Sequence, residues 1–199
     1  MRGFVAKYWL WAVLSSHAWL LVWQIANSAD LHVLHNLLEP SGETSARLLI
    51  FALCVTPLAK LLPGWSGSRW LIRNRRAIGV ASFCYACLHL LIYLIGNGSF
   101  VTLIEQLSWT YILLGWVAFL LLLPLALTST NSAVRRLGRK WKQLHRLAYL
   151  AAALTYLHWV AIYGGSILVN VTLNFAPILL LTVYRVWRRY APRPTETGA

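Results

Sequence analysis

Charge is scarce in this sequence. Only 12% of its 199 residues are Asp, Glu, Lys or Arg, about half the roughly 25% of an average soluble domain. Acidic residues are the scarcest of these, 5 against 18 basic ones, which gives a formal net charge of +13. Cysteine is limited to Cys54, Cys84 and Cys87, all within apolar runs. That spacing implies no disulfide framework and leaves the redox compartment open, and small core residues are the plain reading of Cys84 and Cys87. No internal repeat is visible, and no polar stretch is long enough for a soluble domain beside the apolar segments.

Long apolar runs are what the chain has instead. Hydrophobic residues make up 59% of it and its mean hydropathy is +0.60. A bilayer core needs about 20 apolar residues per helix. Six segments approach this, at 8–26, 45–62, 77–96, 109–127, 146–163 and 168–187. The second is the shortest and meets Thr56-Pro57, where Pro57 is expected to kink or end it. In lipid, backbone polar groups must pair internally, so the runs are expected to be helices. The expectation is an all-α polytopic membrane protein, one six-helix domain over 1–199, with a polar, disordered tail at 191–199. The run at 8–26 follows Arg2 and Lys7 like a signal peptide, but its full span length argues against cleavage.

The position of the basic residues excludes a nucleic-acid binder. Arg2 and Lys7 precede the first span. Lys60, Arg69, Arg73, Arg75 and Arg76 lie between the second and third, and Arg135, Arg136, Arg139, Lys140, Lys142 and Arg146 between the fourth and fifth. Arg185, Arg188, Arg189 and Arg193 close the last span, leaving Arg47 alone at the other side with Asp30, Glu39, Glu43 and Glu105. The positive-inside rule makes the basic side cytoplasmic and puts both termini there. Attraction to anionic membrane lipid accounts for these charges. The run Leu71-Ile72-Arg73-Asn74-Arg75-Arg76 could in addition touch a phosphate-bearing cofactor or an acidic partner. Of 11 tryptophans, Trp9, Trp23, Trp65, Trp70, Trp109, Trp141 and Trp187 lie near span ends, as interface belts do. Trp19, Trp116 and Trp159 lie deeper and could pack on a flat cofactor or simply on neighbouring helices.

Ionisable groups inside spans are candidates for function. His89 stands 12 residues past Ala77, and His158 stands 12 residues past Arg146. Both are then ~18 Å from the inner boundary. Two histidines at one depth on different helices can supply both axial nitrogens of a six-coordinate haem; the alternative is that each only hydrogen-bonds across a helix interface. Zinc would want three or four ligands, and no acid or thiol is aligned with the pair. Cys84-Tyr85-Ala86-Cys87-Leu88-His89 differs by one residue from the Cys-x-x-Cys-His of covalent haem attachment, so the haem would be b-type. His145 precedes His158 by 13 residues, ~20 Å along the axis, and could ligate a second haem or be an interfacial structural residue. His17, ~14 Å into the first span, could support the haem or a quinone-like ligand, or be structural. His32 and His35, in the first external loop, read as solvent-exposed.

With these residues in view the chain resembles the MsrQ/YedZ family of haem-binding membrane subunits, within the ferric-reductase-like transmembrane group. The likeness is carried by Thr56-Pro57-Leu58-Ala59-Lys60, by the 71–76 run leading to Leu88-His89, and by Leu127-Thr128-Ser129-Thr130. It continues through Leu137-Gly138-Arg139-Lys140-Trp141-Lys142-Gln143-Leu144-His145-Arg146 to His158. The first external loop departs from it, with Glu39-Pro40-Ser41-Gly42 where the family tends to have His-x-Thr-Gly. The resemblance implies a b-haem carrier with haem histidines at His89, His145 and His158, a possible FMN, and a place in the bacterial inner membrane. It also implies a periplasmic molybdopterin-containing methionine sulfoxide reductase as electron acceptor, and hence protein repair.

Larger relatives carry a flavin and NADPH-binding domain. This sequence has no Gly-rich dinucleotide fingerprint. Electrons are therefore expected from a separate cytoplasmic flavin reductase or a quinol, with the chain a conduit rather than a complete enzyme. Two other functions compete with that: a self-contained transmembrane metal or quinone reductase, and a non-redox membrane scaffold whose histidines only pack.

Overall fold

In a computed structural model the chain is a bundle of helices, with no strand among the described residues, which are 2–28, 32–62 and 64–190. The tail expected at 191–199 lies outside them. The elements are α1 (Arg2–Ala26), α2 (His32–Leu61), α3 (Gly67–Asn97), α4 (Phe100–Gln106), α5 (Thr110–Leu127), α6 (Asn131–Leu137), α7 (Arg139–Leu144), α8 (Leu147–Ile162) and α9 (Leu168–Tyr190). Five helices, α1, α2, α3, α5 and α9, are long and apolar enough to cross a membrane. The expected fifth span, 146–163, is α8, and its 16 residues reach only ~24 Å against a hydrocarbon core of about 30 Å. The helix agrees with the expected bounds to one residue at each end, and beyond it Gly164 and Gly165, with φ of 58° and 86°, turn the chain as L side chains rarely can.

The second span differs from expectation. α2 begins at His32 and has 30 residues, running through both Pro40 and Pro57. Residues 32–44 are thus helix, where an external loop was expected, and Pro57 does not end it. The polar side chains of this first stretch hide it from a hydropathy scan. They do not prevent a helix, because Leu34, Leu37 and Ser41 are buried at helical spacing against the bundle.

Without a hydrophobic drive between helices in lipid, close approach of small residues holds such bundles. The broadest contacts join α2 to α3 and α5 to α8. Between α2 and α3 the fit is closed by two fully or nearly buried serines. Ser45 Oγ donates to the Ser82 carbonyl at 2.9 Å, and Ser82 Oγ donates to the Ser45 carbonyl at 2.8 Å. Each bond contributes about 0.6 kcal/mol by analogy with other membrane helices. Ala151 and Ala152 of α8 and Val171, Phe175 and Ile178 of α9 pack into one core with Ala46, Leu49 and Ile50 of α2. Large apolar side chains such as Trp9, Leu120, Leu173 and Leu180 point outward, where lipid is the expected solvent.

One end of the bundle gathers the basic residues. Thr130 caps α6, accepting from the Ala133 amide at 3.1 Å. Gly138, with φ 52°, breaks α6 from α7. Trp141 Nε1 donates to the Thr128 carbonyl at 2.9 Å and folds α7 back under α5. At the opposite end are Glu39, Glu43, Arg47 and α4 with Glu105. Arg47 pairs there with Glu43 at 2.8 Å and donates to Asn174 Oδ1 at 3.2 Å.

Candidate haem site

Four helices converge on one pair of rings. α3 supplies His89 and α8 supplies His158, and their ring centroids are 6.4 Å apart with planes at 84°. His89 Nδ1 is 2.9 Å from the Leu38 carbonyl of α2 and 3.2 Å from Ser41 Oγ. His158 Nδ1 is 2.6 Å from the Tyr111 carbonyl of α5. A carbonyl can only accept, so each Nδ1 carries the proton and each Nε2 keeps its lone pair. Ring orientation in metal-binding histidines is set by such a bond at the other nitrogen.

The spacing suits a metal between the two rings. A metal–imidazole bond is about 2 Å, with the ring centroid about 1 Å behind the nitrogen, so two imidazoles on opposite sides of one ion place their centroids roughly 6 Å apart. Among the described residues no group of three or more His, Cys, Asp or Glu could hold an ion. A metal on this pair would therefore need its remaining ligands from elsewhere, as the four nitrogens of a porphyrin supply them. The residues present fit a bis-histidine haem.

His17 is not brought to this pair. Its Nδ1 meets Thr44 Oγ1 at 2.8 Å, and its ring stacks on Tyr85 at 6.1 Å between centroids. Thr44 donates its own proton to the Pro40 carbonyl at 2.8 Å, so it accepts from His17. Tyr85 is inserted into the backbone ladder of α1, donating to the Leu14 carbonyl and accepting from the Ala18 amide, both at 2.9 Å. These bonds tether α1 to α2 and α3. His32 and His35 are exposed on α2. Trp19 points outward, 70% exposed. Trp159 is buried in the α8 core and Trp116 packs edge-on to Phe119. Cys84 is exposed, contrary to the core position expected of it, because its face of α3 turns away from α2; all three cysteines are free.

A second polar cluster lies at the basic end. His145 follows α7 as its C-cap, and the Trp141 ring packs against it at 3.9 Å between centroids. Arg75 Nη1 donates to Thr56 Oγ1 at 2.6 Å and Arg76 Nη2 to Asn131 Oδ1 at 2.5 Å. Two buried side-chain atoms among the described residues lack any partner, Arg76 Nη1 and His145 Nε2. Burial, then the Arg75 and Arg76 guanidiniums, hold the His145 pKa below the usual imidazole range. No carboxylate on the described residues pairs with either arginine. A buried guanidinium N–H without an acceptor is costly, and the chemistry that would satisfy it is an anion's oxygen.

Sequence reasoning missed the glycines of the site. A Cβ on Gly42 would lie 3.0 Å from His89 Nδ1, and one on Gly115 would lie 2.9 Å from His158 Cε1. The signal was present for Gly115, inside an apolar run where glycine lowers helix propensity and so needs another reason to be there; Gly42 stands among Glu39, Pro40, Glu43 and Thr44, where a glycine reads as part of a loop.

Comparison with known proteins gives a consistent set of relatives. The ferric reductase like transmembrane component matches residues 41–156, a stretch that holds His89 and His145 and stops two residues before His158. A protein-methionine-sulfoxide reductase heme-binding subunit MsrQ from Azospira oryzae is 36% identical over 179 residues, covering 86% of this chain and 75% of its own. MsrQ of Ralstonia nicotianae is 39% identical over 74% of this chain and 68% of its own length. MsrQ of Rhodospirillum rubrum is 43% identical over 69% and 65%. No solved structure matches the chain.

Proposed function

This chain belongs to the MsrQ family of ferric reductase like transmembrane proteins, and from that premise we propose that it is the b-haem electron-transfer subunit of a methionine sulfoxide reductase. The observation that carries the reading is the His89–His158 pair, 6.4 Å between centroids and each ring donating from Nδ1 to a backbone carbonyl. Haem, when bound, supplies one-electron oxidation and reduction. The chain's part is to present Nε2 of both histidines, fix their rotation, and keep water away with the apolar walls of α3, α5 and α8. Haem held here would take Nε2 of both His89 and His158, and the pair would leave no open place on it for a substrate. That favours a conduit over a self-contained metal or quinone reductase, and the uncommitted Nε2 atoms favour it over a scaffold in which histidines only pack.

The finer reading places the chain in the bacterial inner membrane, with the basic end and both termini cytoplasmic by the positive-inside rule. A cytoplasmic flavin reductase or a quinol is the donor. The acceptor is a periplasmic, molybdopterin-containing reductase that repairs oxidised methionine. The cluster at the basic end fits FMN, whose phosphate would offer Arg76 Nη1 its missing acceptor. A second haem on His145 fits less well. Its Nε2 is covered, and the groups around it, Arg75 and Arg76, are not axial ligands.

Reconstituted vesicles test the function. With reduced flavin supplied on the basic side, the haem should become reduced. It should reoxidise on adding the partner reductase with a methionine sulfoxide peptide, and stay reduced with the peptide alone. Reoxidation by peptide without the partner would mean that the chain is an enzyme in its own right.

A further inference from the structure

Each of the two facing histidines reaches its carbonyl over a glycine. His89 bonds the Leu38 carbonyl and His158 bonds the Tyr111 carbonyl. Four residues beyond each carbonyl, on its own helix, stand Gly42 and Gly115. In an α-helix the Cα–Cβ bond tilts toward the N-terminus, so the side chain at i+4 leans back over the carbonyl of residue i. A Cβ at Gly42 would stand 3.0 Å from both Nδ1 and Cε1 of His89. One at Gly115 would stand 3.0 Å from Nδ1 and 2.9 Å from Cε1 of His158. Both glycines therefore meet the same ring edge, the one that makes the hydrogen bond. Gly79, in α3 itself, has nothing within 4 Å of its Cβ position.

We propose that Gly42 and Gly115 are paired positioning residues that set the haem's reduction potential and the angle between its ligand planes, by opening the Leu38 and Tyr111 carbonyls to the axial imidazoles. This rests on the reading of His89 and His158 as axial ligands. The Tyr111 carbonyl, with two lone pairs, can accept from the imidazole and still serve its own helix; the Leu38 carbonyl also accepts from Ser41 Oγ at 2.8 Å, so its bond to His89 is shared. The bond at Nδ1 makes Nε2 a stronger donor, which favours the oxidised iron and lowers the potential. Because the carbonyls belong to different helices, they hold the rings 84° apart. A methyl group at either glycine pushes the ring edge outward and lengthens that bond. The two sites are not equal. His89 has Ser41 Oγ at 3.2 Å as a second partner for Nδ1, whereas His158 has the Tyr111 carbonyl at 2.6 Å.

The test compares the full-length, haem-loaded wild type with Gly42→Ala, Gly115→Ala and Gly79→Ala by redox titration and low-temperature EPR. The wild type should give the strongly anisotropic low-spin ferric signal of near-perpendicular imidazoles. Read on the haem-loaded fraction of each, Gly115→Ala should raise the midpoint potential most, Gly42→Ala less, and Gly79→Ala not at all. Haem-loaded alanine variants with the wild-type potential and signal would overturn the proposal, as would an equal shift in Gly79→Ala. Should an alanine variant fail to retain haem, the wild type decides alone. Near-perpendicular planes with an exchangeable proton on the remote nitrogen of both imidazoles uphold the proposal; near-parallel planes, or a missing proton, overturn it. His89→Ala and His158→Ala separate the two levels, because low-spin haem surviving in both removes the ligand assignment itself.

Discussion

Thr44 Oγ1 on α2 accepts a hydrogen bond from His17 Nδ1 on α1 at 2.8 Å, because its own proton goes to the Pro40 carbonyl. A histidine in the first span is thereby committed to holding helices together. His17→Ala is expected to keep the full haem spectrum and to lose about 0.6 kcal/mol of stability. Spectra and thermal unfolding in detergent check this. A bleached haem in that variant would bring His17 back as a ligand or close support.

Arg76 should govern the anionic ligand at the basic end. Its Nη1 is buried and lacks an acceptor, and a charge-assisted hydrogen bond contributes about 1.5–3 kcal/mol. Arg76→Gln is expected to weaken FMN binding about ten- to a hundred-fold. Riboflavin, which has no phosphate, should bind the two proteins alike. Flavin fluorescence titration measures both. Equal loss for riboflavin would mean that Arg76 supports the fold of the cluster rather than the phosphate.

His145 should not be a haem ligand. A haem-to-protein ratio near one is expected in the wild type and the same ratio in His145→Ala, measured by pyridine haemochrome. A ratio near two that falls to one in the variant would establish a second haem.

Much of the architecture was legible in the sequence because lipid imposes simple rules. Apolar run length marked the helices, and one-sided basic residues marked an end. The equal depth of His89 and His158 follows from residue counts alone, and their rings do meet. The N-terminal half of α2 was not legible, since Glu39, Pro40, Glu43 and Thr44 lower the hydropathy of residues whose buried face still makes a helix. The bounds of α8 were legible, since the apolar run 146–163 stops where Gly164 and Gly165 turn the chain with positive φ. The roles of Gly42 and Gly115 depend on what lies opposite them in space, which a single sequence does not print.

The orientation can be checked independently of any cofactor. Reporter fusions at the C-terminus and in the α6–α7 segment are both expected to be active on the cytoplasmic side. A fusion after Asn97, beyond α3, should report the opposite side. Reversal of all three would invert donor and acceptor ends while leaving the haem site untouched.

One optical measurement tests the His89–His158 site most directly: the reduced-minus-oxidised difference spectrum of the wild type beside His89→Ala and His158→Ala, each expressed with ample haem. The wild type should show a low-spin b-type spectrum. Either substitution should abolish it or convert it to a weakly held high-spin form, with protein still present in the membrane. An intact low-spin spectrum in both variants would contradict the claim that these two imidazoles hold the iron.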